Sequence, residues 1–234
     1  MNYLGIDGCK GGWILVYQQN GVLGHAIAPS LFELLSPFKA GHSRLLIDMP
    51  LVLLNKTSQN RKRPCDVAAR KLLGRKSASV FSPPAEEALV GKNYREACQL
   101  NQEVNGKKIS LQTWYLFPKI KDLRLFLNEY PDWKCVVMES HLELVFQRFN
   151  DLKPLSFSKK TVAGIDERLA ILERIEPSAK TFYQETYQAT ERKQVAPDDL
   201  LDAMALAIRA KLGDFSSFGV YEESSNRPKM DYFF

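Results

Sequence analysis

The chain has little of what would mark a secreted, membrane or zinc-binding protein. Its four cysteines, Cys9, Cys65, Cys98 and Cys135, are widely scattered, with no C-x-x-C pair and no histidine at zinc-ligand spacing. That excludes a zinc knuckle and argues against a disulfide framework. No apolar stretch approaches the ~20 residues of a membrane span, and the first residues, Met1 to Asp7, lack a basic segment followed by an apolar one. Internal repeats and low-complexity tracts are also missing. The expectation is a cytoplasmic protein with no membrane partner. Charge of one sign is scarce too: a net charge of +5 is compatible with a polyanionic partner but supports one only weakly.

What is present reads as a folded chain. Hydrophobic residues make up 45% and charged residues 25%, far from the composition of disorder, and 234 residues can bury one substantial core. Tyr3 to Asp7 and Trp13 to Gln18 flank the turn Gly8-Cys9-Lys10-Gly11-Gly12, and Asn20-Gly21 is a strong hairpin signal before Val22 to Ala28. These residues predict a three-stranded meander. Ser30 is placed to cap a helix carrying Leu31, Leu34, Leu35 and Phe38. Ser43 to Asp48 and Lys134 to Glu139 are near-continuous apolar runs, as in parallel strands covered on both faces.

Between those two runs the patterns predict helices at about Pro64 to Leu73, Ala85 to Leu100 and Lys119 to Glu129. Further helices are expected at Leu142 to Arg148, Asp166 to Ile175 and Pro197 to about Lys211, the last with proline in its first turn. From Ser216 onward no periodicity is visible.

Acids end several of these elements. Asp7, Asp48 and Glu139 stand at strand ends, where ligands gather in open α/β sheets. Each could instead merely cap the following turn. Asp198 and Asp199 suit a helix N-terminus. Asp202 lies one turn further in among Leu201, Ala203, Met204 and Ala205, and shares a face with Asp199. Clustered carboxylates suit Mg2+ or Mn2+, and two such ions ~4 Å apart can promote phosphodiester hydrolysis. The first ligands would be Asp7, Asp48, Glu139 and Asp202, with Asp199 auxiliary and water as the nucleophile.

Several motifs also match a known family. Gly5-Ile6-Asp7-Gly8-Cys9-Lys10-Gly11-Gly12-Trp13, Ile47-Asp48-Met49-Pro50, Arg63-Pro64-Cys65-Asp66 with Arg70, and Ser79-Val80-Phe81-Ser82-Pro83-Pro84 resemble the domain of unknown function 429 family. So do Gln112-Thr113-Trp114, Glu139-Ser140-His141-Leu142-Glu143, Ser158-Lys159-Lys160-Thr161 with Gly164, and Asp198 to Ala203. The resemblance runs from Tyr3 to about Ala210. It implies an α/β, RNase H-like mixed five-stranded sheet of three antiparallel plus two parallel strands, flanked by helices. The family is described as predicted nucleases, and its acidic positions fall on Asp7, Asp48, Glu139, Asp199 and Asp202. Leu142 replaces the proline expected after His141.

The expected organisation is a single domain over residues 1–215 with a helical insertion at about 50–133, then a C-terminal tail, 216–234. The expected activity is metal-dependent hydrolysis of nucleic acid, DNA or RNA, and a homodimer is compatible with the sequence. Arg63, Asp66 and Arg70 at helical spacing suggest a solvated ion-paired face; if that face borders the acids, Arg63 and Arg70 are phosphate contacts. Lys159 and Lys160 admit the same two readings, an exposed loop or a substrate contact. His141 could be a ligand, a proton carrier or a structural residue. Trp13, Trp114 and Trp133 read as core. Two rival functions remain: an ATP-binding phosphotransferase of the actin and sugar-kinase fold, which would use Gly8 to Gly12 around phosphate, and a non-catalytic nucleic-acid or protein-binding module.

Overall fold

A computed structural model of the chain describes residues 1–219 and 230–234. Strands β1 (Asn2–Cys9), β2 (Gly12–Gln19) and β3 (Val22–Ala28) form the meander. Asn20 and Gly21 have φ of 51° and 82°, the pair of left-handed residues that a two-residue hairpin needs. The short helix α1 (Leu31–Leu35) starts where the Ser30 hydroxyl accepts the Glu33 amide. It carries the chain over to β4 (Ser43–Ile47), which lies parallel beside β1.

Four helices follow: α2 (Pro64–Leu73), α3 (Tyr94–Asn105), α4 (Leu111–Tyr115) and α5 (Phe117–Glu129). They lead to β5 (Val137–Glu139), parallel to β4. Helices α6 (Leu142–Phe149), α7 (Val162–Ile175), α8 (Ala179–Ala189) and α9 (Pro197–Leu212) complete the chain order. The sheet order is β3-β2-β1-β4-β5. This is the RNase H-like arrangement, three antiparallel strands continued by two parallel ones.

Several boundaries differ from the sequence reading. The expected helix from Ala85 to Leu100 is a 3-10 turn, Glu86–Val90, and then α3. Gly91 passes so near α3 that a β-carbon there would stand 2.7 Å from the Ala97 nitrogen, and Asn93 caps the new helix by accepting the Glu96 amide. The last strand is shorter than the apolar run, because Pro131–Cys135 forms a 3-10 turn that buries Trp133 against Phe126. Helix α8 was not foreseen; its buried residues, Ala179, Tyr183 and Thr186, are small or carry hydroxyls, which weakens the apolar periodicity. Trp114 is only half-buried.

Strand alternation sorts the core into two layers. On one face Ile14, Val16 and Leu46 pack with α2, α6, α7, α8 and α9. On the other, Leu4, Ile6, Trp13, Leu15, Leu45 and Ile47 pack with α1, α3 and α5. The segment 50–133 therefore reaches both faces: α2 joins the first layer, and α3 and α5 the second. The chain's end also packs inward. The Phe233 amide donates to the Glu139 carbonyl at 2.9 Å, Ser216 and Phe234 exchange two backbone bonds, and Tyr232 and Phe234 are buried.

The central contact is α9 on β1. At Gly5 an added β-carbon would lie 2.1 Å from the Ala203 oxygen and 2.2 Å from the Ala207 nitrogen, both of them backbone atoms of α9. Only glycine lets the helix come this near. Gly5→Ala is therefore expected to cost more than ~3 kcal/mol or to prevent folding. Gly41→Ala, where nothing lies within 4 Å, should stay within about 0.5 kcal/mol of the parent. Urea denaturation of both variants measures the difference.

Candidate active site

Asp7 lies two residues beyond Gly5, so the strand's alternation points it to the α9 face. Asp48 follows Leu46 by the same step, and its amide still donates to the Ile6 carbonyl at 3.3 Å, keeping it in register with β1. Asp202 lies beside Ala203, one turn into α9, and is 1% exposed. The tight packing at Gly5 therefore brings two strand-end carboxylates under a helix carrying a third. One Asp202 oxygen, Oδ2, accepts Lys159 Nζ at 2.6 Å; the other, Oδ1, is buried without a hydrogen-bond partner. Lys159 Nζ also lies 3.5 Å from Asp198.

The electrostatics follow from this geometry. Burial, then the charges of Asp202 and Asp48, hold the Asp7 carboxyl well above the usual range. Burial and Asp202 push Asp48 up to about 7. Asp199 rises to about 6, again mainly through burial, although its side chain accepts the Ala196 amide at 3.0 Å and so caps α9. Burial raises Asp202 as well, with Lys159 opposing it. Five carboxylates, those of Asp7, Asp48, Asp198, Asp199 and Asp202, face the Lys159 ammonium, and the Arg168 guanidinium acts on Asp202 as well. The cluster is short of positive charge.

Glu139 is set apart from these aspartates. It ends β5 in register with Ile47, and its side chain meets the loop after β4 and the start of α2. There Oε2 accepts the Leu51 amide at 2.9 Å and Arg63 Nη2 at 2.6 Å. Arg63 is 2% exposed, so the reading of Arg63, Asp66 and Arg70 as a solvated face is corrected. The Tyr232 hydroxyl donates to Asp66, and the Arg63 guanidinium lies over the Tyr232 ring. Tyr232 thus seals a buried ion pair that no local sequence pattern reveals.

The remaining candidates divide. Arg70 donates to the carbonyls of Val80 and Phe81 and to the Ser82 hydroxyl, clamping the segment after α2. His141 is buried edge-on to Tyr232, with Nε2 3.3 Å from the Ser79 carbonyl, and burial lowers its pKa. Lys160 is exposed. Lys159 and Lys160, with Lys10 and the rim residues Asp198 and Asp199, line an open cleft of about 450 Å3. Two cations escaped the sequence reading. Arg168, 1% exposed, bonds Glu143 at 2.8 Å and acts on Asp202; its place four residues after Gly164 and four before Leu172, on the buried face of α7, was the available signal. Lys119 reaches across from α5 to donate to the Cys9 carbonyl.

The hard oxygens and the partnerless Asp202 Oδ1 are of the donor type that a divalent cation takes. The cage is not already closed: among the described residues no three Asp, Glu, His or Cys side chains are gathered closely enough to hold a metal.

The family model described as "Protein of unknown function (DUF429)" matches residues 5–218. The chain belongs to this family. No curated protein and no solved structure matches it. The matched span of the DUF429 domain includes every aspartate of the cluster as well as Arg63 and Glu139. No described helix of it is long and apolar enough to cross a membrane.

Two outcomes are expected. Arg63→Met leaves Glu139 and Asp66 buried without their cation and should cost about 3–5 kcal/mol in a urea melt. For Asp48, the unfolded carboxyl ionises near pH 3.9 and the folded one at about 7. The folded state therefore holds the proton more tightly, and this group's contribution to stability falls as pH rises between those values. Asp48→Asn removes that loss. In chelator, its stability relative to the parent should climb from about pH 4 to 7 and level off above about 8, as measured by denaturation across that range.

Proposed function

We propose that this DUF429 protein is a metal-dependent phosphodiesterase that hydrolyses nucleic acid at the Asp7, Asp48 and Asp202 cluster, with Mg2+ or Mn2+ as cofactor. The observation that carries this reading is the gathering of buried carboxylates at the ends of β1 and β4, under α9: burial first, and then the neighbouring carboxylates, hold the protons of Asp7 and Asp48 on. Holding like charges together in a half-buried site costs stability, and a cation relieves it. Asp7, Asp48 and Asp202 would hold the ion, Asp202 through the partnerless Oδ1. Glu139, expected among the ligands, is engaged by Arg63 and has no place in this set.

A divalent cation in this position supplies the Lewis acidity and charge neutralisation that phosphodiester hydrolysis needs. The chain's own groups do the rest. Lys159 keeps Asp202 oriented and presents positive charge to the cleft, where Lys10 and Lys160 flank the path of a phosphate backbone. Asp199 fixes the start of α9 and with it the position of Asp202. No side-chain nucleophile is involved; water attacks.

The phosphotransferase reading is less well supported at its own key position. In the β1–β2 turn the Gly8 amide already donates to Asp7 at 2.7 Å and the Gly11 amide to the Gln194 carbonyl at 2.8 Å. The Lys119 side chain fills the space beside Gly8. These are the donors and the space that a nucleotide phosphate would use. A purely binding module gains nothing from a cluster of carboxylates that repel one another.

Asp7→Asn tests the proposal. It keeps the acceptor for the Gly8 amide and removes one charge, so at pH 8 in chelator the variant should melt at or above the parent. The parent should gain about 2.7 kcal/mol when Mn2+ is present at about 100 times its dissociation constant, and should cleave DNA or RNA. The variant should lose most of that gain, and cleavage should fall by about 10- to 100-fold or more. A variant that retains the full Mn2+ shift and the parent's cleavage rate removes Asp7 from the site and overturns the reading.

A further inference from the structure

A second, strongly basic pocket lies between α2, the Ser82-Pro83-Pro84 segment and the end of α3, and shares no lining residue with the aspartate cleft. Its wall carries five cations, Arg61, Lys62, Arg63, Arg70 and Lys107, against one carboxylate, Asp66. Asp66 is already engaged by the Tyr232 hydroxyl and by Arg63. Among the described residues, Arg61, Lys62, Arg70 and Lys107 form no ion pair.

The pocket is held in place by its surroundings. Asn101, 1% exposed, accepts the Ala85 amide at 2.7 Å and donates to the Lys107 carbonyl at 2.7 Å, tying the end of α3 to the proline segment. Ser82 Oγ accepts both Arg70 and Lys107 Nζ, the latter at 2.7 Å. Gly106, with φ of 71°, ends α3 and leaves Arg61 Nη1 only 3.0 Å from where a β-carbon would stand. Arg63, 2% exposed, has its Nε and Nη1 buried without a hydrogen-bond partner. Burial and the charges of Arg70 and Lys62 lower the Lys107 amine, as crowding of like charges requires.

We propose that this pocket binds an oxyanion of the phosphate class, seated between Lys62, Arg70 and Lys107 with the Arg63 guanidinium behind it. Its interior of about 20 Å3 has room for about one water-sized group, so an oxygen of the anion enters it while the rest of the group stays at the mouth. A planar fork and flexible ammonium groups together suit a tetrahedral anion. The site stands independently of the hydrolysis reading. Its ligand is either free phosphate or the terminal phosphate of a nucleic-acid strand.

The test is calorimetric titration of the full chain with inorganic phosphate in chelator, for the parent, for a Lys62→Ala, Lys107→Ala double variant, and for Asp7→Asn. The parent should bind saturably and the double variant at least about tenfold more weakly, with its melting temperature showing that it remains folded. Asp7→Asn should bind phosphate as the parent does, which keeps this result separate from failure of the hydrolysis reading. A second arm compares an oligonucleotide carrying a 5′-phosphate with its 5′-hydroxyl counterpart. Preference for the phosphorylated strand, lost in the double variant, assigns the site to a strand end; equal binding of the two strands, with inorganic phosphate still bound, assigns it to the free anion. A parent that binds no phosphate, or a folded double variant that binds it equally well, overturns the proposal.

Discussion

Backbone contact between α9 and β1 at Gly5 is the constraint on which the rest of the arrangement depends. With no side chain at that point, the helix settles on the centre of the sheet, and its buried Ala203, Ala205, Ala207 and Ala210 keep the layer thin. The same approach brings Asp202 within electrostatic reach of Asp7 and Asp48. Any side chain at residue 5 would lift α9 from the sheet and separate those carboxylates, so packing and site chemistry rest on one glycine.

The two charged centres of the molecule differ in how directly their acids are paired. The aspartate cluster has a shortage of cations and leaves one oxygen without a partner. Around Glu139 one cation holds two buried acids: Arg63 bonds Glu139, Asp66 lies beside it, and Tyr232 closes the network from the end of the chain. A buried ion pair is a means of fixing structure. Here it joins the loop after β4, the start of α2, β5 and the C-terminal residues. That arrangement lets an acid at a strand end tie four separate segments of the framework together.

Much of this was legible from local pattern, because the relevant signals are short-range. Asn20-Gly21 specifies its hairpin, Ser30 its cap, and Pro197 with Asp199 the start of α9, since each acts within a few residues. The sheet order followed from the sequence of apolar runs together with the family motifs. Helix α8 and the break at Gly91 were not legible, because weakly apolar helix faces and close packing against a distant segment leave no strong periodicity. The burial of Arg63 was likewise hidden: helical spacing of charges looks the same whether the face is wet or dry.

The sequence by itself determined the meander and its parallel extension, most of the helices, and the presence of acids at strand ends and inside α9, all of which depend on residues near one another in the chain. Only the tertiary structure decided which acids meet. Asp7, Asp48 and Asp202 converge because strand parity and the Gly5 contact place them on one face. Glu139, at the end of β5, is instead engaged by Arg63 at the start of α2. Register and layer assignment arise from pairings between residues dozens of positions apart, and no local pattern encodes them.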